Sequence, residues 1–108
     1  MSQHLICLCT CPDDETAQTL AVSLLETKLA ACVNILPAVQ SVYQWEGKIE
    51  RDQEVLLLIK TTQRRFPEIE THILARHPYE LPEIIAVPIE AGLKPYLQWI
   101  DDVMESKQ

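Results

Sequence analysis

The sequence predicts an α+β domain whose chain runs β-α-β twice and then ends on a helix. Two observations carry that expectation. Short strand-like runs alternate with longer segments of helical periodicity along the chain. The first and third of those runs are apolar on both faces, whereas the second and fourth contain prolines, which cannot donate to a central ladder. The expected sheet therefore holds strands one and three inside and strands two and four at its edges. This is an antiparallel order of 4-1-3-2 in a ferredoxin-like βαββαβ sandwich with a C-terminal helix. At 108 residues and 47% hydrophobic content, the chain supports one domain, 1–108, with one modest core.

Strand one is His4 to Cys11. Pro12-Asp13-Asp14 breaks it and offers an N-cap, and Glu15 falls in the acid-favouring first turn. Ala17, Leu20, Ala21, Leu24, Leu25 and Leu29 then recur at helical spacing and form one apolar stripe. Strand two carries Val33, Ile35, Val39, Tyr43 and Trp45 at odd positions, which strict alternation would place on one face. Pro37 marks an edge, a bulge or a break within it. Glu46-Gly47 reads as a tight turn, with Gly47 free to take positive φ.

Strand three returns from Lys48 to Thr61, and its second half, VLLLIK, suits a central position. Thr61 and Thr62 are expected to cap the next helix, with Pro67 in its first turn. The inward face of that helix is read as Phe66, Ile69, Ile73 and Leu74, and His77-Pro78 ends it. Strand four is Glu83 to Ile89, an edge because of Pro88. Pro95 opens the last helix, with Tyr96, Leu97, Ile100, Val103 and Met104 on its buried side.

Right-handed crossovers put both long helices on one sheet face. The other face is then apolar and largely uncovered, and burying it gains roughly 25 cal/mol per Å². Soluble proteins avoid such patches and open edges, so self-association through sheet faces or edges is expected.

The 9 basic and 16 acidic residues give a net charge of −7, which disfavours nucleic acid and anionic membranes as partners. The segment MSQHLICLCTCPDD lacks a basic n-region, and its apolar run is too short for a signal or a span. A cytoplasmic protein with reduced thiols is therefore the expectation.

Cys7, Cys9 and Cys11 share one face of strand one. Deprotonated thiols there would attract Cu(I) or Zn(II), although alternate residues on a strand sit roughly 6.5–7 Å apart. The other reading is that these small side chains fill the core. Cys32 reads as packing. His77 is either a metal ligand or a helix-terminal anchor for the following loop. His4 and His72 read as incidental, with His72 on an exposed helical position. No G-x-S-x-G, Walker, H-E-x-x-H or C-x-x-C pattern is present, so an enzyme is not expected.

The segments CTCPDDETAQ, LAACVNILP, SVYQWEGKIE, LLIKTT and HPYELPEI, in this order and spacing, resemble those of the CutA family of divalent-cation-tolerance proteins. The resemblance runs from about Ile6 to Val103. It implies a cytoplasmic homotrimer of ferredoxin-like subunits, similar in assembly to PII signalling proteins and linked to tolerance of copper or another divalent metal ion. It implies that Cys9 is the metal-associated cysteine and that His77 stands at the family's histidine position. Where some members carry two histidines, this chain has Arg76-His77, so a fixed positive charge replaces one imidazole. Residues matching Tyr43, Trp45, Glu54, Lys60, Tyr79 and Glu83 lie near inter-subunit clefts in the family. A cleft with one lysine, two carboxylates and aromatic walls would suit a small anion or metabolite. The alternative to metal tolerance is accordingly a PII-like signalling trimer. If neither holds, the aromatics pack the trimer interface and the charges pair across it.

Overall fold

The computed structural model describes residues 3–105. Its elements are β1 (His4–Cys11), α1 (Asp14–Glu26), β2 (Cys32–Trp45), β3 (Lys48–Thr62), α2 (Phe66–Arg76, after a 3-10 turn at Gln63–Arg65), β4 (Ile85–Pro88) and α3 (Lys94–Glu105). The four strands form one antiparallel sheet in the order β2-β3-β1-β4. This is the expected order, with the proline-bearing strands outside. No helix among the described residues is long and apolar enough to cross a membrane.

α1 and α2 cover one sheet face. Cys7, Cys9, Cys11, Val55, Leu57 and Ile59 meet Ala17, Leu20, Leu24, Ile69 and Ile73 in the main core. Asp13 caps α1, accepting from the Thr16 amide at 2.8 Å. The helix ends with Lys28 at φ 60, and the Leu29 amide bonds back to Leu24 at 2.9 Å. This is a Schellman stop made without glycine. Leu29 is therefore buried from beyond the helix rather than within it, and Leu25 is exposed.

Three further expectations change. Thr61 does not cap α2; its hydroxyl donates to the Leu29 carbonyl at 2.7 Å. Leu74 faces solvent, whereas His72 is buried and shares a 2.7 Å hydrogen bond with Ser23 on α1. β4 begins at Ile85, so Glu83 belongs to the α2–β4 loop.

The main correction concerns β2. Leu36 pairs with Leu56 and Val39 with Glu54, so Pro37 and Ala38 together oppose Val55. One extra residue in a strand exchanges its faces from that point on. Val33 and Ile35 thus point toward the helices, opposite Ile59 and Leu57. Val39, Tyr43 and Trp45 lie on the other face, with Glu54 and Asp52. Ala38 carries the bulge at φ 62. Beyond it, the hairpin turns through Glu46 at φ 52 and Gly47 at φ 80, the paired positive angles of a type I′ turn.

The hairpin runs on past the pairing of β3 with β1, which stops at Val55, to Trp45 and Lys48. Val42 and Ile49 on it are more than half exposed. Ile85 and Val87 are similarly bare on the sheet face away from α1 and α2. α3 buries Ile100 and Met104 against Ala31 and leaves Tyr96 and Trp99 partly exposed.

Candidate functional site

Two constellations meet at the end of β1. The first lies under the helices. Cys9 and Cys11 are fully buried there, and His77, the residue that ends α2, reaches in beside them. One ligand atom from each of the three lies within 4.8 Å of the others. The expected spacing of roughly 6.5–7 Å for alternate residues describes the backbone. The side chains close that gap by leaning together, which makes Cys11 a third donor beside the predicted Cys9 and His77.

The two thiols interact: a side-chain hydrogen bond between them, and then burial, push the Cys9 pKa up. The same bond lowers that of Cys11 against the opposing effect of burial. The Cys9 thiol also donates to the Thr10 carbonyl at 3.9 Å. Cys7 stays in the core as a thiol, its pKa raised to about 12 by burial and then by Glu70. Cys32 is half-buried on β2, outside this group.

His77 is held by both ring nitrogens. Nε2 lies 2.8 Å from the Thr10 carbonyl oxygen, which can only accept, so Nε2 carries the proton. Nδ1 then accepts from the Tyr79 amide at 3.1 Å. A ligating histidine commonly donates its second N–H to a carbonyl in this way, which leaves the other nitrogen for the metal. Two sulfurs and one imidazole suit Cu(I) or Zn(II), and the residues present fit such an ion. Binding through Nδ1 requires the Tyr79 amide to let go. Arg76, beside His77 in sequence, donates to the His72 carbonyl at 3.1 Å and is not part of the group.

The second constellation is a cavity of about 720 Å³ between the root of the β2–β3 hairpin and the α2–β4 loop. It gathers Tyr43, Trp45, Glu54, Tyr79 and Glu83, five of the six residues expected in a cleft. Tyr79 donates to Glu54 at 2.8 Å, and Tyr43 donates to Asp52. Burial first and then Glu54 raise the Tyr79 pKa; the hydrogen bond to Asp52 raises that of Tyr43 to about 12. The rings of His77 and Tyr79 lie 4.7 Å apart, so the two constellations touch through these residues.

Lys60 is not in this cavity. It shares a face with Glu54, but six residues of extended chain separate them by roughly 20 Å. Its ammonium donates to Asn34 instead. In its place the cavity contains Asp52 and Glu80, which the sequence reading missed. Asp52 was recoverable, since it shares parity with Glu54. Glu80 depends on the path of a loop.

Comparison with known proteins follows the same outline. The family model described as CutA1 divalent ion tolerance protein matches residues 5–103. The divalent-cation tolerance protein CutA of Thermus thermophilus is 48% identical over 95 residues, covering 88% of this chain and 92% of that protein. Human Protein CutA is 47% identical over 97 residues, 90% of this chain but 54% of its own length. The crystal structure of CutA from Xylella fastidiosa superposes with a TM-score of 0.93 at 43% identity, covering 96% of this chain and 100% of that one. The periplasmic divalent cation tolerance protein CutA of Archaeoglobus fulgidus gives 0.92 at 46% identity, covering 94% and 99%.

Proposed function

We propose that this chain, which belongs to the CutA1 divalent ion tolerance family, acts in copper tolerance by binding the ion through Cys9, Cys11 and His77. The convergence of three soft or borderline donors within 4.8 Å in a buried pocket carries this reading. Bound there, the ion would be removed from solution and from redox side reactions. The chain's own residues hold thiols in a dry pocket and orient the imidazole through Thr10. The role is sequestration rather than catalysis.

The working form in this proposal is a cytoplasmic homotrimer. The bare apolar groups on the outer sheet face and on the hairpin support assembly, because leaving them in water forfeits burial at roughly 25 cal/mol per Å². A reducing compartment keeps the donor thiols available. Competitive titration of metal-free protein against a chromophoric Cu(I) chelator tests the binding. It should show one tight site per chain, lost in Cys9→Ser/His77→Ala. Unchanged binding in that variant would reject these ligands. Native mass spectrometry of the same sample should give the trimer mass.

A second reading is a PII-like signalling trimer that binds a small ligand in its clefts. The aromatic-lined cavity at the hairpin root favours it. A screen of metabolites by thermal shift tests it, since a ligand that binds only the folded state raises the melting temperature.

A further inference from the structure

We propose that the cavity at the hairpin root is a site for an organic cation, an ammonium or guanidinium group on an aliphatic stem. The proposal rests on the second reading above and gives its ligand a chemical class. It starts from Glu54, which is only 8% exposed. One of its carboxylate oxygens accepts from Tyr79. The other has no hydrogen-bond partner in the protein and is not sealed off, and Glu54 lines the cavity. Among the described residues, the ion pairs join His4 to Asp101, Arg64 to Glu105 and Arg65 to Glu68. None of them reaches Glu54. The open oxygen is therefore an acceptor on the cavity wall with no counter-charge beside it, and a bound cation would supply both a donor and that charge.

The surroundings select the kind of cation. The other charged side chains on the cavity wall, Asp52, Glu80 and Glu83, have the same sign as Glu54, so an anion is repelled. Trp45 and Tyr43 are partly exposed beside them and offer ring faces to an ammonium or guanidinium. A bare divalent ion fits less well, because it needs carboxylates aimed at one point. Among the described residues, the close group of three donors is the Cys9–Cys11–His77 set, not these acids. At about 720 Å³ the space suits a metabolite-sized stem rather than a lone ion. The net charge of −7 draws cations toward the whole molecule.

The test is calorimetric titration with spermidine, and separately with adenosine monophosphate as an anionic probe, in chelator-treated buffer. Spermidine should bind the natural protein, with affinity lower by about tenfold in Glu54→Gln and in Trp45→Leu. The chain has two tryptophans, and only the indole N–H signal missing from Trp45→Leu should move on titration. Cys9→Ser should bind spermidine as the natural protein does. Glu54→Gln should melt no lower than the natural protein, which separates lost binding from lost fold. Absence of spermidine binding, or binding unaltered in Glu54→Gln, overturns the assignment. Adenosine monophosphate binding without spermidine binding overturns the cation while keeping the cleft as a ligand site. Binding of neither probe removes the second reading too.

Discussion

The sulfur pocket and the aromatic cavity lie on opposite sides of the last residues of β1 and are built on opposite principles. In the pocket, Cys9 and Cys11 are fully buried and come from adjacent positions of one strand face. Its geometry is local, and only His77 must be brought from elsewhere. The cavity is open and draws on four stretches of chain, namely β1, β2, β3 and the α2–β4 loop. Its chemistry is long-range, because it exists only once the bulge has turned Tyr43 toward Asp52. A dry site of polarizable donors suits a desolvated metal; a wet acidic site with ring faces suits an organic ion. The two are joined at one place, since Tyr79 gives its amide to His77 and its hydroxyl to Glu54.

The largest expected effect separates the two regions. Cys9→Ser/Cys11→Ser should weaken Cu(I) or Zn(II) binding by more than about a hundredfold, as removal of two of three ligands requires. Chelator competition measures it. A parallel loss of cavity binding would show that the regions are one site.

Deleting Ala38 attacks the other side of the comparison. It removes the extra residue and leaves Val39 opposite Glu54 and Tyr43 opposite Glu50, so the aromatics keep the face that the bulge gave them. The Tyr43 to Asp52 bond and metal binding should both persist, with only the local twist of β2 reduced; loss of the bond would show that the bulge itself shapes the cavity. Two-dimensional NMR of the indole signals and metal titration together check this.

His77→Ala probes the joint. It leaves the buried Thr10 carbonyl with only the weak Cys9 thiol donor and frees the Tyr79 amide, at a cost of about 1–3 kcal/mol in denaturant unfolding. Ligand occupancy of the cavity should also shift metal affinity, by a factor on the order of five or more if Tyr79 couples them. Equal affinities with and without spermidine would show that the contact transmits nothing.

A pH effect should arise away from both sites, between α1 and α2. Burial, and then Arg76, hold the His72 pKa below its usual 6.5. The unfolded chain therefore binds more protons than the folded one between the depressed value and 6.5. The contribution of His72 is complete above pH 6.5 and is lost as pH falls through the folded pKa. Denaturant midpoints should drop over that window, less steeply in His72→Gln. The smallest effect is a gain: Lys28→Gly relieves a left-handed backbone and should add about 0.5–1 kcal/mol.

Much of this was legible in the chain itself. The strand order followed from where prolines fall and which runs are apolar on both sides, because a proline cannot serve an inner ladder. The Asp13 cap, the turn at Glu46-Gly47 and the stop at His77 are local backbone chemistry, so neighbouring residues suffice to specify them. What alternation could not reveal was the break in alternation. Pro37 announced an irregularity, but only pairing with β3 shows that Ala38 is the extra residue and that the aromatics change sides. For the same reason shared parity put Lys60 and Glu54 on one face of β3 without saying how far apart along it they lie, while Glu80 arrived through a loop. Sequence determines what each residue prefers locally. The company a charge keeps depends on distances through space, which are set when sheet, bulge and loop are packed together.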